Sequence, residues 1–139
     1  MERIVGIDYG KKRTGIAISD PLSIFASALE TVPSASVIAY LKNYTQRENV
    51  KMFVVGYPLN MDNEPSEGAK YVDQFLNLLK KHFPDIPVIL EDERFTSKMA
   101  FQAMIDGGVK KMARRDKSMV DKISAAIILQ SFLDRKREI

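Results

Sequence analysis

The chain opens on two short apolar runs joined by a basic turn, and this arrangement constrains the fold more than any other stretch. Residues 4–7 and 16–18 are rich in β-branched side chains, which is typical of buried strands. Asp8 stands where the first run ends, and a carboxylate there is costly to bury unless it meets a cation. The turn contains three basic residues, Lys11, Lys12 and Arg13. This pattern suits a metal and phosphate site, but it is also ordinary hairpin chemistry, and this stretch alone favours both interpretations equally.

The composition limits the chemistry that the chain can carry out. With 139 residues, 45% of them hydrophobic and 28% charged, we expect one domain spanning residues 1–139. The chain has no cysteine and one histidine, His82, which argues against thiol nucleophiles, zinc thiolate sites and multi-histidine sites. Catalysis would therefore use carboxylates, hydroxyls, lysines and arginines. No run suits a membrane span or a signal peptide, which predicts a cytoplasmic protein without a membrane partner.

Positive charge is concentrated in the last third of the chain. The net charge is +3 overall, but residues 1–97 sum to −2 and residues 98–139 to +5. A basic segment of this kind is typical of a protein with a polyanion partner. A solvated, lysine-rich surface gives the same pattern, so charge alone does not decide between the two.

Periodicity along the chain predicts five strands and four helices. The continuous apolar run at 52–55 indicates a strand buried on both faces, as in a parallel sheet beneath helices. Ser66 is expected to cap the second helix. The strands are predicted at 4–7, 16–18, 26–32, 52–56 and 87–90, and the helices at about 34–48, 67–83, 98–106 and 120–133. This order predicts an α/β protein with a five-stranded mixed sheet and helices on both faces.

Three carboxylates are expected to converge in such a sheet. Asp8 ends the first strand, Glu93 follows the last strand, and Asp121 lies in the first turns of the final helix. The carboxyl ends of parallel strands share one edge, and a helix that packs across this edge brings Asp121 to it. Oxygen ligands without histidine or thiol favour Mg²⁺ or Mn²⁺, and two such ions about 4 Å apart promote phosphodiester hydrolysis. The candidate phosphate ligands are Lys11, Lys12, Arg13 and Arg94.

Each of these acids also has a structural interpretation. Residues 91–94, Glu-Asp-Glu-Arg, are by themselves better explained as a solvated loop in which Arg94 pairs with a neighbouring acid. Residues 118–121 match a capping box, so that capping and metal ligation are equally favoured for Asp121. The coincidence of three acids at one predicted edge, beside a basic turn, favours the metal site.

Four segments together resemble the motifs of the bacterial YqgF-type family. They are IVGIDYGKKRTGIA at 4–17, VVGYPLNMD at 54–62, DERFTS at 92–97 and VDKISAAIIL at 120–129. They occur in the family's order and span essentially the whole chain. This family is described as Holliday junction resolvases or pre-16S rRNA nucleases, and the resemblance implies its RNase H-like fold for the predicted sheet.

The resemblance also implies roles for individual residues. The implied catalytic residues, which are also the implied ligands of Mg²⁺ or Mn²⁺, are Asp8, Glu93 and Asp121. The implied nucleic-acid contacts, besides the basic turn, are Asn60 in the 58–62 loop, Arg94 and Thr96. The better-known resolvases to which the chain is similar carry a second carboxylate one turn along the last helix, where this chain has Ser124. Asp92 is a candidate to complete the ligand set.

The leading hypothesis is a metal-dependent nuclease that hydrolyses phosphodiesters in structured nucleic acid. The resemblance favours an rRNA precursor over branched DNA as the partner, with processing of the 5′ end of pre-16S rRNA in ribosome biogenesis as the role. We expect a monomer or a weak homodimer. The alternatives are a Holliday junction resolvase, a nucleic-acid-binding factor that does not hydrolyse its ligand, and a phosphotransfer domain related to actin and sugar kinases. The last requires two lobes, and a chain of this length provides one.

Overall fold

The computed structural model describes residues 2–58, 66–92, 99, 102–103, 106–107 and 116–137. Its strands are β1 (Glu2–Tyr9), β2 (Arg13–Ser19), β3 (Ala26–Pro33), β4 (Asn49–Tyr57) and β5 (Val88–Asp92). Its long helices are α1 (Val37–Arg47), which follows a 3₁₀ turn at Ser34–Ser36, α2 (Ala69–His82) and α3 (Lys117–Arg137). Within these ranges, the helices lack the combination of length and apolar character that crossing a membrane requires.

The five strands form one sheet in the order β3-β2-β1-β4-β5. β1, β4 and β5 run parallel to one another, whereas β2 is antiparallel to both β1 and β3. The predicted five-stranded mixed sheet is therefore confirmed, and β3 and β5 form its edges. β4 separates β1 from β5, but the carboxyl ends of all three lie at the same edge, as expected from parallel pairing.

Alternation along β1 assigns its side chains to two different layers. Val5 and Ile7 pack in the core that α1 and α2 cover, whereas Ile4 packs against α3. Because successive side chains of a strand point to opposite faces, Asp8 lies on the face covered by α3 and Tyr9 on the face covered by α2. At the end of β1, two consecutive residues therefore reach the layers on opposite faces of the sheet.

Two glycines allow α3 to pack closely against the sheet. A Cβ atom at Gly6 would lie 2.7 Å from Leu129 Cβ, and one at Gly15 would overlap the carbonyl oxygen of Asp121. These positions require glycine because a backbone or a side chain of α3 occupies the space of a Cβ. The glycines thus fix the height of α3 above β1 and β2.

The starts of two helices differ from the predictions. α2 begins at Ala69 after Gly68, and Ser66 contributes only its carbonyl, which accepts a hydrogen bond from Ala69 N. α3 begins at Lys117, and Asp116 Oδ1 accepts a hydrogen bond from Ser118 N at 2.9 Å. The predicted capping box is therefore wrong, because the cap is Asp116 and Ser118 already lies inside the helix.

The helical spacing of Val120, Ile123, Ala126, Ile127 and Leu133 indicates the final helix, but the face of α3 that packs on the sheet consists mostly of other residues. The side chains that pack on the sheet are Ala125, Ile128, Leu129, Phe132 and Leu133. Ile123 and Ile127 instead join Met119 in a small separate cluster around Val120. Before α3, most of the predicted helix at 98–106 lies outside the described residues, as do Thr96, Ser97 and residues 110–115. Met99, which is described, is 51% exposed.

A buried carboxylate anchors the end of α3 to the sheet. Glu91 lies in β5, not in a solvated loop, and its Oε1 accepts a hydrogen bond from Arg135 Nη2 at 2.5 Å. The Glu91 side chain is only 8% exposed, whereas that of Arg135 is 59% exposed. The carboxylate therefore depends on one accessible guanidinium for compensation.

We expect Arg135→Ala to lower the free energy of unfolding by about 1–3 kcal/mol, because it leaves the Glu91 carboxylate buried without its cation. Urea denaturation measures this loss. Lys136→Ala is the matched control, since Lys136 is exposed and adjacent, and it should change the stability by less than about 0.5 kcal/mol. Equal effects of the two substitutions would contradict the assigned role of the ion pair.

Candidate active site

Asp8 and Asp121 come together at one corner of the sheet. Asp8 on β1 pairs with Gly15 on β2, and directly opposed residues of an antiparallel pair place their side chains on the same face. The backbone of Asp121 lies directly over Gly15. The half-buried Asp8 side chain therefore points into the layer that contains the start of α3. The structure therefore brings these two acids to the same corner, and their role as metal ligands stays a prediction.

An ion pair orients the Asp121 carboxylate. Arg13 Nε donates a hydrogen bond to Asp121 Oδ2 at 2.8 Å, and the two side chains are 40% and 22% exposed. Thr31 on β3 adds a second link, because its Oγ1 donates a hydrogen bond to the carbonyl of Ser118 at 2.5 Å. The first turn of α3 is thus held by β2 and β3 together. Asp121 serves as a partner of Arg13 and not as a helix cap.

The two carboxylates supply hard oxygen donors of the kind that Mg²⁺ and Mn²⁺ prefer. Both come from rigid elements, since Asp8 ends a central strand and Asp121 lies in a helix seated on a glycine. Among the described residues, Asp, Glu and His side chains do not form a cluster of three that could hold a metal. Glu93, the third predicted ligand, lies outside the described residues. The oxygen donors of this corner fit a divalent cation. Two carboxylates do not complete the coordination of such an ion, so a further ligand is required.

Asp92 lies on the other side of the sheet from this corner. Glu91 faces α3, where it meets Arg135, so alternation along β5 directs Asp92 to the opposite face. Its register partner Tyr57 donates a hydrogen bond to Asp73 of α2 at 3.0 Å. Burial and this hydrogen bond raise the pKa of the Tyr57 hydroxyl above its ordinary value. Asp92 is therefore poorly placed to complete a ligand set around Asp8.

A buried hydroxyl pair fixes the basic turn between β1 and β2. Gly10 N donates to the carbonyl of Arg13 at 3.0 Å, which closes the turn. Ser34 N donates to the carbonyl of Lys12 at 2.9 Å, and Ser34 Oγ donates to the carbonyl of Gly10 at 2.6 Å. Thr14 Oγ1 lies 2.8 Å from Ser34 Oγ. Because the single hydroxyl proton of Ser34 is directed to Gly10, Thr14 is the donor in this contact.

We expect Ser34→Ala to destabilise the protein by about 1–3 kcal/mol, since it leaves the Thr14 hydroxyl buried without its acceptor and the Gly10 carbonyl without a donor. The midpoint of urea unfolding reports this loss. Ser36→Ala, in the same 3₁₀ turn, removes an exposed hydroxyl and should have little effect. A stability of Ser34→Ala equal to that of the wild type would show that the hydroxyl pair does not hold the turn.

The predicted phosphate contacts divide into three groups. Arg13 faces the acidic corner, where it binds Asp121. Lys11 leans towards α2, with its Nζ 5.3 Å from the centre of the Tyr71 ring, and Lys12 is exposed at the tip of the turn. The remaining predicted contacts lie outside the described residues, and they are Asn60, Arg94 and Thr96.

A comparison with protein families agrees with the order of the strands and helices and with the sequence motifs along the chain. A family model described as "RuvX: Holliday junction resolvase" matches residues 2–135. The chain belongs to the RuvX family. This membership confirms the resemblance stated from the sequence motifs.

Full-length relatives support the RuvX assignment along the whole chain. A protein of Parabacteroides distasonis is 54% identical over 137 residues, which are 99% of this chain and 98% of the relative. One of Phocaeicola vulgatus is 50% identical over 139 residues and covers all of both chains. Both carry the name "Putative pre-16S rRNA nuclease".

Solved structures establish the fold of this RuvX chain. The Fowlpox virus resolvase in complex with Holliday junction DNA superposes with a TM-score of 0.61 at 12% identity, covering 96% of this chain and 98% of the other. Thermus thermophilus RuvC in complex with a junction substrate gives a TM-score of 0.56 at 18% identity, covering 98% and 96%. The RNase H-like fold implied by the sequence motifs is thereby confirmed.

Ser124 is buried in this RuvX chain. It lies one turn after Asp121 on α3 and is only 1% exposed, and its Oγ has no hydrogen-bond partner among the described residues. The position that carries a second carboxylate in the better-known resolvases therefore provides a small neutral hydroxyl at the face of the sheet.

Sequence reasoning did not identify three residues around the basic turn. Ser34 was predicted only as the start of a helix, and neither Lys70 nor Tyr71 was singled out. A basic and an aromatic residue adjacent on the exposed side of a helix could have indicated a nucleic-acid contact. No sequence signal links Ser34 to Gly10, because a contact across 24 positions depends on the pairing of β2 and β3.

Proposed function

We propose that this protein is a divalent-metal-dependent nuclease that acts on structured nucleic acid, and that it processes the 5′ end of pre-16S rRNA. The observation that carries the proposal is the meeting of Asp8 and Asp121 over Gly15, beside a basic turn. Support for the substrate comes from the names of the full-length relatives at 54% and 50% identity. The proposal treats residues 1–139 as one catalytic domain, cytoplasmic and either monomeric or weakly dimeric.

The proposed metal ligands are Asp8, Glu93 and Asp121, holding one or two Mg²⁺ or Mn²⁺ ions. When bound, such ions activate water and stabilise the leaving oxygen of a phosphodiester. Glu93 follows β5 directly in the sequence, and the family resemblance implies it as the third ligand. Asp8 and Asp121 repel each other, and a divalent cation relieves this repulsion.

The basic residues hold and orient the substrate in this proposal. The guanidinium of Arg13 keeps the Asp121 carboxylate in place through Nε and remains 40% exposed, so its other donors can reach a phosphate oxygen. Lys11 and Lys12 add positive charge on the exposed turn. Asn60, Arg94 and Thr96 are proposed as further contacts to nucleic acid. Because phosphate neutralisation releases counterions, binding is expected to weaken steeply as salt increases.

Cleavage assays on two substrates test this function. A labelled pre-16S rRNA fragment that spans the mature 5′ end and a four-way DNA junction are incubated with Mg²⁺, Mn²⁺ or a chelator. We expect metal-dependent cleavage of the RNA. Cleavage of the junction alone would replace the proposal with a Holliday junction resolvase, which the family description favours. Salt-sensitive binding without cleavage of either substrate would replace it with a non-catalytic binding factor and would make Ser124 the first residue to examine.

A further inference from the structure

An aromatic ring lies beside the basic turn, on the side away from the acidic corner. Lys11 Nζ is 5.3 Å from the centre of the Tyr71 ring, and Lys70 Nζ is 5.7 Å from it. Lys11 belongs to the turn between β1 and β2, whereas Lys70 and Tyr71 belong to the first turn of α2. These three residues, here called the Tyr71 cluster, therefore connect two separate elements.

The Tyr71 cluster rests on a rigid aromatic pair. Tyr9 stacks on Phe75 with ring centres 4.4 Å apart and planes 7° apart, and Phe75 is 1% exposed. Tyr71 precedes Phe75 by one helical turn, so both side chains lie on neighbouring positions of the same helix face. The buried face of α2 consists of Ala69, Val72, Phe75, Leu76 and Leu79. Tyr71 is thus half-buried at the rim of this face, with Lys11 and Lys70 over its ring.

The Tyr71 cluster and the acidic corner lie at the same end of β1, on opposite faces. Asp8 points towards α3, and the next residue, Tyr9, points towards Phe75 of α2. The turn at 10–13 lies between them, with Arg13 on the acidic side and Lys11 on the Tyr71 side. A nucleic-acid strand whose phosphate reaches Asp8 can therefore continue over the turn to Tyr71.

We propose that an unpaired nucleotide next to the cleaved phosphate stacks on Tyr71, while Lys11 and Lys70 bind its phosphates. This inference rests on the proposed nuclease function and specifies its substrate class as a nucleic acid with a single-stranded segment at the cleavage site. Bases inside a duplex do not expose their faces, whereas unpaired bases stack on aromatic side chains regardless of sequence. The contacts between the exposed lysines and the ring are weak. A base can therefore take the place of the ammonium groups at the ring, while the ammonium groups bind the phosphates instead.

The charges around the ring favour this ligand. The first turn of α2 carries no acidic residue, and Asp73 in the next turn accepts a hydrogen bond from Tyr57. In the described sequence around the start of α2, the acids Glu67 and Asp73 stand against three lysines, Lys11, Lys12 and Lys70. The balance at this rim is therefore positive, as a phosphate backbone requires.

A binding experiment in chelator, where metal-dependent cleavage does not occur, tests the inference. The probes are an RNA hairpin with a short unpaired extension that carries 2-aminopurine, and the same hairpin with a blunt end. We expect Tyr71→Leu to weaken binding of the extended RNA about tenfold and to raise the 2-aminopurine fluorescence, with blunt-end binding unchanged. Tyr71→Phe should restore both signals, since it keeps the ring.

Lysine variants separate stacking from charge. Lys11→Ala and Lys70→Ala should weaken binding of both RNAs and lower the salt slope by about one each, whereas Lys80→Ala, in the last turn of α2, should do neither. Unchanged binding by Tyr71→Leu, or an equal loss of binding for both RNAs, would overturn the inference. The proposed function would still stand in that case if the wild type showed metal-dependent cleavage. A wild-type protein that neither bound nor cleaved RNA would overturn both.

Discussion

Gly15→Ala is expected to displace the start of α3 and to abolish activity, although the side chain added is a single methyl group. The new Cβ would overlap the carbonyl of Asp121 and would lie 2.9 Å from Lys122 N. Backbone atoms of a helix cannot rotate away as a flexible side chain can, so the helix must move. Overpacking of this kind costs about 3 kcal/mol, and it also separates Asp121 from Asp8. Urea denaturation and the cleavage rate measure the two effects on the same preparation.

Gly68→Ala is the matched control for this experiment. A Cβ at Gly68 would meet Ser66 Oγ at 3.7 Å and Pro58 Cγ at 3.9 Å, which are ordinary contacts. Its φ of −69° suits any residue, so the stability should change by less than about 1 kcal/mol. If Gly15→Ala is as stable and as active as Gly68→Ala, the close packing of α3 on β2 does not position the site.

Asp121→Asn is expected to slow cleavage at least about 100-fold at low metal concentration with only a small loss of stability. The amide keeps an oxygen that can accept the hydrogen bond from Arg13 but removes the negative charge that attracts a divalent cation. Changes of residues that merely support metal ligands already cost about 10–100-fold, so loss of a ligand should cost at least as much. Single-turnover rates across a titration of Mg²⁺ measure the loss.

Arg13→Gln distinguishes ligation from a purely structural role of Asp121. It removes the ion pair but leaves the carboxylate, which is 22% exposed, in place. If Asp121 serves only as the partner of Arg13, both variants should lose activity equally and at every metal concentration. If it holds a metal, excess Mg²⁺ should rescue Asp121→Asn partly, whereas the deficit of Arg13→Gln should not depend on the metal.

The sheet and the position of its acids followed from local patterns. The apolar run of β4 is buried on both faces, as its continuous composition indicates, because α2 and α3 cover it from opposite sides. Asp8 could be placed at the end of a central strand because a strand end and a basic turn are both visible in ten residues of sequence. The need for glycine at position 15 could not be read from the sequence, since it depends on a helix more than 100 residues later.

The prediction of buried faces was less accurate for a long helix that carries apolar residues on several sides. α3 carries isoleucine and alanine around most of its circumference, so the period alone could not identify Ala125, Ile128 and Leu129 as the sheet-facing side. Its true cap, Asp116, was hidden by the equally plausible motif that begins two residues later, at Ser118. The link between Glu91 and Arg135 joins positions 44 residues apart and has no local signal.

Cleavage by Asp8→Asn, measured beside the wild type in Mg²⁺, in Mn²⁺ and in chelator, tests the central claim most directly. Asp8 ends the central strand β1 and faces the start of α3, so the loss of its charge should remove metal-dependent hydrolysis while circular dichroism and urea unfolding show an intact fold. We predict no metal-dependent cleavage above the chelator control. Hydrolysis at the wild-type rate by a normally folded Asp8→Asn protein would contradict the assignment of this corner as the active site.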